Sequence, residues 1–136
     1  MGGGAAWLGA SRLDVPRPMN SPSVSSHPYF KIHPGQLDAA QAVLRAFVAK
    51  TTTEPGCCYY EFTVDGDIVF CDEAYTDADA VLAHLANVGA ELGETLKVSA
   101  LTRLELHGPA AELDKPRGPL ADLKPARFVY ECGVQK

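Results

Sequence analysis

The sequence has no apolar run approaching the roughly 18 residues needed to cross a bilayer, because charge or glycine interrupts every candidate stretch. No transmembrane helix is expected. Basic residues are in the minority, 12 Lys and Arg against 17 Asp and Glu for a net charge of −5. Binding to nucleic acid or anionic lipid through net charge is therefore disfavoured. Neither a GxGxxG nor a P-loop occurs, which argues against nucleotide and dinucleotide cofactors. Ser, His and Asp are all present, but no GxSxG elbow supports a hydrolase. Cys57, Cys58, Cys71 and Cys132 include no CxxC spacing, and the four histidines are too scattered to argue for a metal. Without redox or zinc spacing, the cysteines read as small buried hydrophobes. No charge precedes Arg12 and no sustained apolar segment follows Met1, so the start does not read as a secretory signal. Ala6 stands where a myristoylation pattern needs Ser or Thr, and the cytoplasm is the expected location.

What is present suits one domain of 136 residues, 46% hydrophobic and 21% charged. A chain of that size buries about two thirds of its unfolded surface and needs no staple. Residues 1–26 carry three consecutive glycines, several prolines and a serine-rich stretch, and predict a flexible tail. Residues 27–136 predict a single domain, with an extension from about residue 109.

HPYFKIH, residues 27–33, is aromatic and β-branched enough for a strand. PGQLDAAQAVLRAFVAK then has helical spacing, with Leu37, Ala40, Val43, Leu44, Phe47 and Val48 as its apolar stripe. Pro55 and Gly56 end it. CCYYEFTV and DIVFCDEAY follow, separated by Asp65-Gly66, a dipeptide favoured in two-residue hairpin loops. With Asp65 and Gly66 as the loop, Val64 faces Asp67. Cys58, Tyr60, Phe62, Val64, Val69, Cys71 and Glu73 then share one face, with Tyr75 at its end. Cys57, Tyr59, Glu61, Thr63, Ile68, Phe70, Asp72 and Ala74 share the other.

Thr76 is the expected N-cap of a second helix, with acidic residues in its first turn. Val81, Leu82, Leu85, Val88 and Leu92 form its stripe, with a break near Gly89 or Gly93 left open. A strand over residues 101–107, a short helix near residues 110–114 and a last strand over residues 127–132 complete the chain. The order β-α-β-β-α-β plus an extra C-terminal strand is that of a ferredoxin-like α+β fold, with helices on one face of an antiparallel sheet. Tyr59, Ile68 and Phe70, with Leu104 and Leu106, would leave the second face apolar. A homodimer is the expected way to cover it.

In order and spacing, HPGQLDAAQAVL, Glu54-Pro55-Gly56-Cys57, Asp72-Glu73-Ala74-Tyr75 and Ala83-His84-Leu85 resemble the antibiotic biosynthesis monooxygenase family over about residues 29–107. The resemblance implies a dimeric α+β barrel and a cofactor-independent monooxygenase that oxidises a small electron-rich aromatic, of hydroquinone or anthrone type, with O2. Its implied partners are that substrate, O2 and a second copy of the chain, without nucleic acid or membrane, and it implies no cofactor or metal. Tyr75 stands where the family often has Trp, and the one Trp of this chain lies in the tail, which argues against the haem-degrading branch.

His84 flanks the buried stripe, where an imidazole titrates near neutrality and can take a phenolic proton. The competing reading is a core-edge histidine bonded to backbone. Glu73 falls on the apolar hairpin face, an expensive place for a charge. It is the second candidate base, or a structural acceptor. Tyr60 and Tyr75 are candidates to orient a substrate, or they fill the core. Asn87 shares the helix side of His84 as a candidate ligand for a carbonyl, and His33, beside Pro34, is expected to border the same cavity. A non-oxidative isomerase or a small-molecule-binding protein on the same barrel is the alternative.

Overall fold

The computed structural model describes residues 22–135, so residues 1–21 of the expected tail lie outside the described residues. The order is β1 (Val24–Ile32), α1 (Leu37–Thr51), β2 (Cys57–Asp65), β3 (Ile68–Tyr75), α2 (Ala78–Asn87), α3 (Gly89–Val98), β4 (Ser99–Gly108), α4 (Ala110–Asp114), a 3-10 turn (Ala121–Leu123) and β5 (Ala126–Val129). The strands form one sheet in the order β2-β3-β1-β4-β5, and the expected ferredoxin-like α+β fold is present. The first strand begins at Val24, three residues inside what was expected to be tail.

The antiparallel expectation fails at one edge. β5 runs parallel to β4, with Glu105 beside Ala126 and Gly108 beside Val129. A parallel neighbour requires a crossover of a dozen or more residues, and the segment containing α4 and the 3-10 turn supplies it.

The hairpin loop is Gly66-Asp67, not Asp65-Gly66, because Asp65 pairs with Ile68 and Val64 with Val69. Gly66, at φ 60°, takes the first loop position, where a II′ turn needs positive φ. The slip from the expected register is two positions along the partner strand, so it preserves the faces. Tyr60 therefore lies directly opposite Glu73. A bulge between Cys57 and Tyr59 turns Cys57 to the helix side, opposite Tyr75.

Asp77, rather than Thr76, caps α2 by accepting the Ala80 N–H at 2.9 Å. The helical run then breaks at Val88 (φ −108°, ψ 15°) before Gly89, leaving two helices. Pro28 sits in the central strand β1, where it has no N–H to give, and the β1–β3 pairing skips His27 and Pro28. The β1–β4 register shifts between Tyr29 and Phe30. That irregularity puts Leu101, Leu104 and Leu106 all against the helices, so Leu104 and Leu106 are buried and do not belong to the second face. Of the cysteines, only Cys71 is fully buried, and Cys132 is exposed.

Two apolar clusters fill the space between helices and sheet. Val24, Tyr75, Ala78, Val81, Leu106, Leu113 and Leu120 form one. Phe30, Ile32, Ala40, Leu44, Phe47, Val69 and Val88 form the other. Along β1, β3 and α2, the residues between the clusters are Ser26, Cys71, Glu73 and His84. Buried polar groups thus lie at the seam of two dry cores, where each needs a protein partner.

Candidate functional site

The site is built from a turn, a helix and a strand. After α1 ends at Thr51, the Glu54-Pro55-Gly56 turn runs directly against α2: a Cβ at Gly56 would lie 2.5 Å from the Ala80 Cβ. Only glycine permits that approach. The approach brings both Glu54 carboxylate oxygens to the Nδ1 of His84, at 3.0 and 2.9 Å. Asn87, one turn further along α2, donates from Nδ2 to Glu54 at 2.8 Å and to the Lys50 carbonyl at 3.1 Å.

A carboxylate only accepts, so Nδ1 of His84 carries a proton, and in the neutral ring Nε2 presents its lone pair. Nε2 faces Glu73 Oε1 at 3.7 Å, beyond direct hydrogen-bond reach. The side chain of His84 is 4% exposed and that of Glu54 10%. The rings of Tyr60 and Tyr75 lie 4.9 and 5.4 Å from the imidazole, centroid to centroid.

Glu73 is flanked by Tyr60 on β2 and Ser26 on β1. Tyr75 donates its hydroxyl to Glu73 Oε1 at 2.5 Å. Burial pushes the Glu73 carboxyl above its ordinary range, against the opposing pull of His84 and of hydrogen bonds from Tyr75 and Cys71. Burial, followed by the neighbouring carboxylate or thiol, also raises Tyr60, Cys71 and Tyr75, so all three remain O–H or S–H donors. Tyr75 is thus hydrogen-bonded to Glu73, while Tyr60 and Cys71 lie beside it on the same face of the hairpin.

Glu73 and His84 open onto a cavity of about 60 Å³. Apart from Ser26, Tyr60, Cys71 and these two residues, its walls are apolar, with Phe30, Phe47, Val81, Leu104 and Leu120 among them. That volume exceeds the space of one water and falls well below the roughly 300 Å³ at which drug-sized ligand pockets begin. It admits a few non-hydrogen atoms beside the imidazole.

The structure thus brings together His84, Glu73, Tyr60 and Tyr75, with Asn87 joined to them through Glu54. It does not bring in His33, which is exposed beyond the end of β1 and lines a separate hollow with Gly66 and Asp67. Strand β1 carries His33 past the last layer of core, away from α2. Asn87 binds Glu54 and the backbone and does not line the cavity. Glu54 is the residue that the sequence reading missed. Its signal was the turn itself, which joined the resemblance as a motif but not as a side chain. Among the described residues, no group of three or more His, Cys, Asp or Glu is arranged to hold a metal ion.

A family model described as antibiotic biosynthesis monooxygenase matches residues 24–91. The crystal structure of MupZ from Pseudomonas fluorescens is similar to this chain at 40% identity, over 85% of this chain and 96% of that one, with a TM-score of 0.81. Rv0793 from Mycobacterium tuberculosis shares 25% identity over 65% of this chain and 95% of its own, with a TM-score of 0.56. SnoaB, a cofactor-independent oxygenase from Streptomyces nogalater, shares the fold at 18% identity over 63% and 91% of the two chains, with a TM-score of 0.56. No curated protein sequence matches the chain.

Proposed function

Because the chain belongs to the antibiotic biosynthesis monooxygenase family, we propose that it is a cofactor-independent monooxygenase whose base is His84 and whose substrate is a small, neutral, electron-rich aromatic. The carrying observation is the Glu54–His84 contact at 2.9 Å, which engages Nδ1 and leaves Nε2 of the neutral ring turned toward an apolar cavity. A base needs its lone pair free and its ring held, and Glu54 provides both.

Nε2 takes the acidic proton of the substrate. The substrate anion then gives one electron to O2, and the resulting substrate radical and superoxide combine to form a C–O bond. A hydroperoxide on a ring CH2 loses water to leave a carbonyl, so one oxygen atom enters the product and the other leaves as water. The substrate supplies every electron. The Tyr60 hydroxyl and the Glu73 carboxyl line the same cavity, where either group, when protonated, can donate to the developing carbonyl oxygen, and the apolar walls limit competing water. A cavity of about 60 Å³ takes the reacting edge of such a molecule rather than the whole of it.

A proton transfer without oxygen uses the same atoms. His84 Nε2 and Glu73 Oε1 lie 3.7 Å apart, a base facing a buried carboxyl whose hold on its proton is strengthened by burial. That pair favours an isomerase as the second reading. Oxygen uptake separates the two. With an anthrone or hydroquinone, the protein is expected to accelerate O2 consumption, and His84→Ala is expected to lose about 10²-fold or more. Product formed at the same rate without O2 selects the isomerase. Equal oxygen uptake with and without protein removes the monooxygenase.

The quaternary state belongs to the same proposal. On the helix-free face, Tyr29 and Phe70 (4.7 Å), His27 and His107 (4.8 Å) and His107 and Phe128 (4.6 Å) form a ring-lined surface across four strands. A second copy laid on this surface covers it in a two-fold contact. Cytoplasmic location remains an expectation; no described helix is long and apolar enough to cross a membrane.

A further inference from the structure

The segment between β4 and β5 lies beyond residue 91, where the family-matched span ends. It is nonetheless built into the site. Leu113 and Leu120 are 1% and 3% exposed and belong to the apolar cluster that contains Val81 and Tyr75. Leu123, half-buried, packs on the same cluster. Glu112 fastens the segment to the start of the catalytic helix by accepting the Ala78 N–H at 3.0 Å, and that bond lowers its carboxyl pKa. Arg127 ties the far end to the Leu113 carbonyl at 3.4 Å. Leu120 and Leu123 then become walls of the cavity that holds His84 and Glu73.

We propose that Leu120 and Leu123 determine specificity: projecting from the crossover into one end of the cavity, they limit the size of the neutral apolar group that reaches His84. The remaining walls belong to the sheet and to the helices α1 to α3, whose side chains also hold the two cores together. These two leucines lie outside regular helix or in a three-residue turn, so the crossover can change their size without altering strand register or the Glu54–His84 contact. No Lys or Arg lines the cavity, and Glu73 does, so the admitted group carries no negative charge. The inference rests on the cavity being the substrate site, but not on the reaction that occurs there.

Phenol, 1-naphthol and anthrone form a graded set of probes, with binding measured by calorimetry on the full chain. Removing a few methylenes from a pocket wall changes discrimination by about tenfold or more. Leu120→Ala and Leu123→Ala are expected to strengthen 1-naphthol and anthrone relative to phenol by at least about that factor. Leu123→Phe is expected to weaken all three. Leu123→Ala, at a half-buried position, carries the test if Leu120→Ala does not fold by circular dichroism. Folded variants that leave the order and spacing of the three affinities unchanged overturn the proposal, as does absence of binding to every enlarged variant. Altered affinities without oxygen uptake or isomerisation in any variant would instead overturn the catalytic reading and leave the size filter standing.

Discussion

Glu54 holds the Nδ1 of His84 with both carboxylate oxygens across 30 positions of sequence, from a turn onto a helix. The Asn87 amide holds Glu54 in place. The imidazole is thereby fixed in one tautomer before any substrate enters. Glu54→Gln keeps the shape but replaces one acceptor oxygen with an amide donor. The rate is expected to fall about 10²- to 10⁴-fold with little change in KM, because Glu54 does not line the cavity. Nitrogen NMR of His84 should show mixed tautomers in the variant. A variant with one tautomer and full rate would reduce Glu54 to a packing contact.

Gly56→Ala tests how tightly the turn and α2 are matched. The new Cβ meets the Ala80 Cβ at 2.5 Å, and neither atom belongs to a flexible side chain. The helix must move, at a cost of about 1–3 kcal/mol, and His84 moves with it. Thermal unfolding is expected to show the loss in stability, and activity is expected to fall by more than the loss of folded protein explains. Unchanged stability would mean that the turn yields without disturbing α2.

Helix and strand identities from His27 to His107 were legible because side-chain periodicity reports them directly, whereas the first residues of β1 were read as tail. The faces of the hairpin were legible too, since a two-residue slip in pairing preserves them. Loop position was not, because Asp65-Gly66 and Gly66-Asp67 both offer a glycine for positive φ. The orientation of Leu104 and Leu106 depended on the register shift at Tyr29 and Phe30, which no local pattern encodes. Glu54 stayed hidden for a similar reason. Its partner is set by the contact of Gly56 with Ala80, which no local pattern encodes.

Glu73 gives stability a pH signature. Its folded-state pKa is raised by burial above the ordinary 4.5, so the folded chain binds that proton more tightly than the unfolded chain does. The associated stability is fully present below the ordinary value and is lost as pH rises through the folded one. Glu91, Glu105 and Glu112 shift downward and lose their contributions in the opposite direction, as pH falls. Glu73→Gln cannot ionise. Its melting temperature is therefore expected to decline less than that of the wild type from 4.5 toward neutrality. Parallel profiles for the two proteins in that window would show that Glu73 ionises at no cost.

The helix-free face supplies the last test. Phe70 lies at its centre, with Tyr29 at 4.7 Å and His27 at 6.0 Å, while Tyr59 and Phe128 remain 40% and 43% exposed. Burying these rings against a second copy removes apolar surface at about 25 cal/mol per Å². A carboxylate placed there without a partner opposes that gain by several kcal/mol. Phe70→Asp is expected to convert a wild-type dimer to monomer in sedimentation velocity at micromolar concentration. Because Phe70 also packs within its own chain, Tyr59→Glu separates the two effects. Its ring is already partly exposed and lies outside the two apolar clusters, so the variant should fold normally and still dissociate. A monomeric wild type, or both variants remaining folded dimers, would place the interface elsewhere.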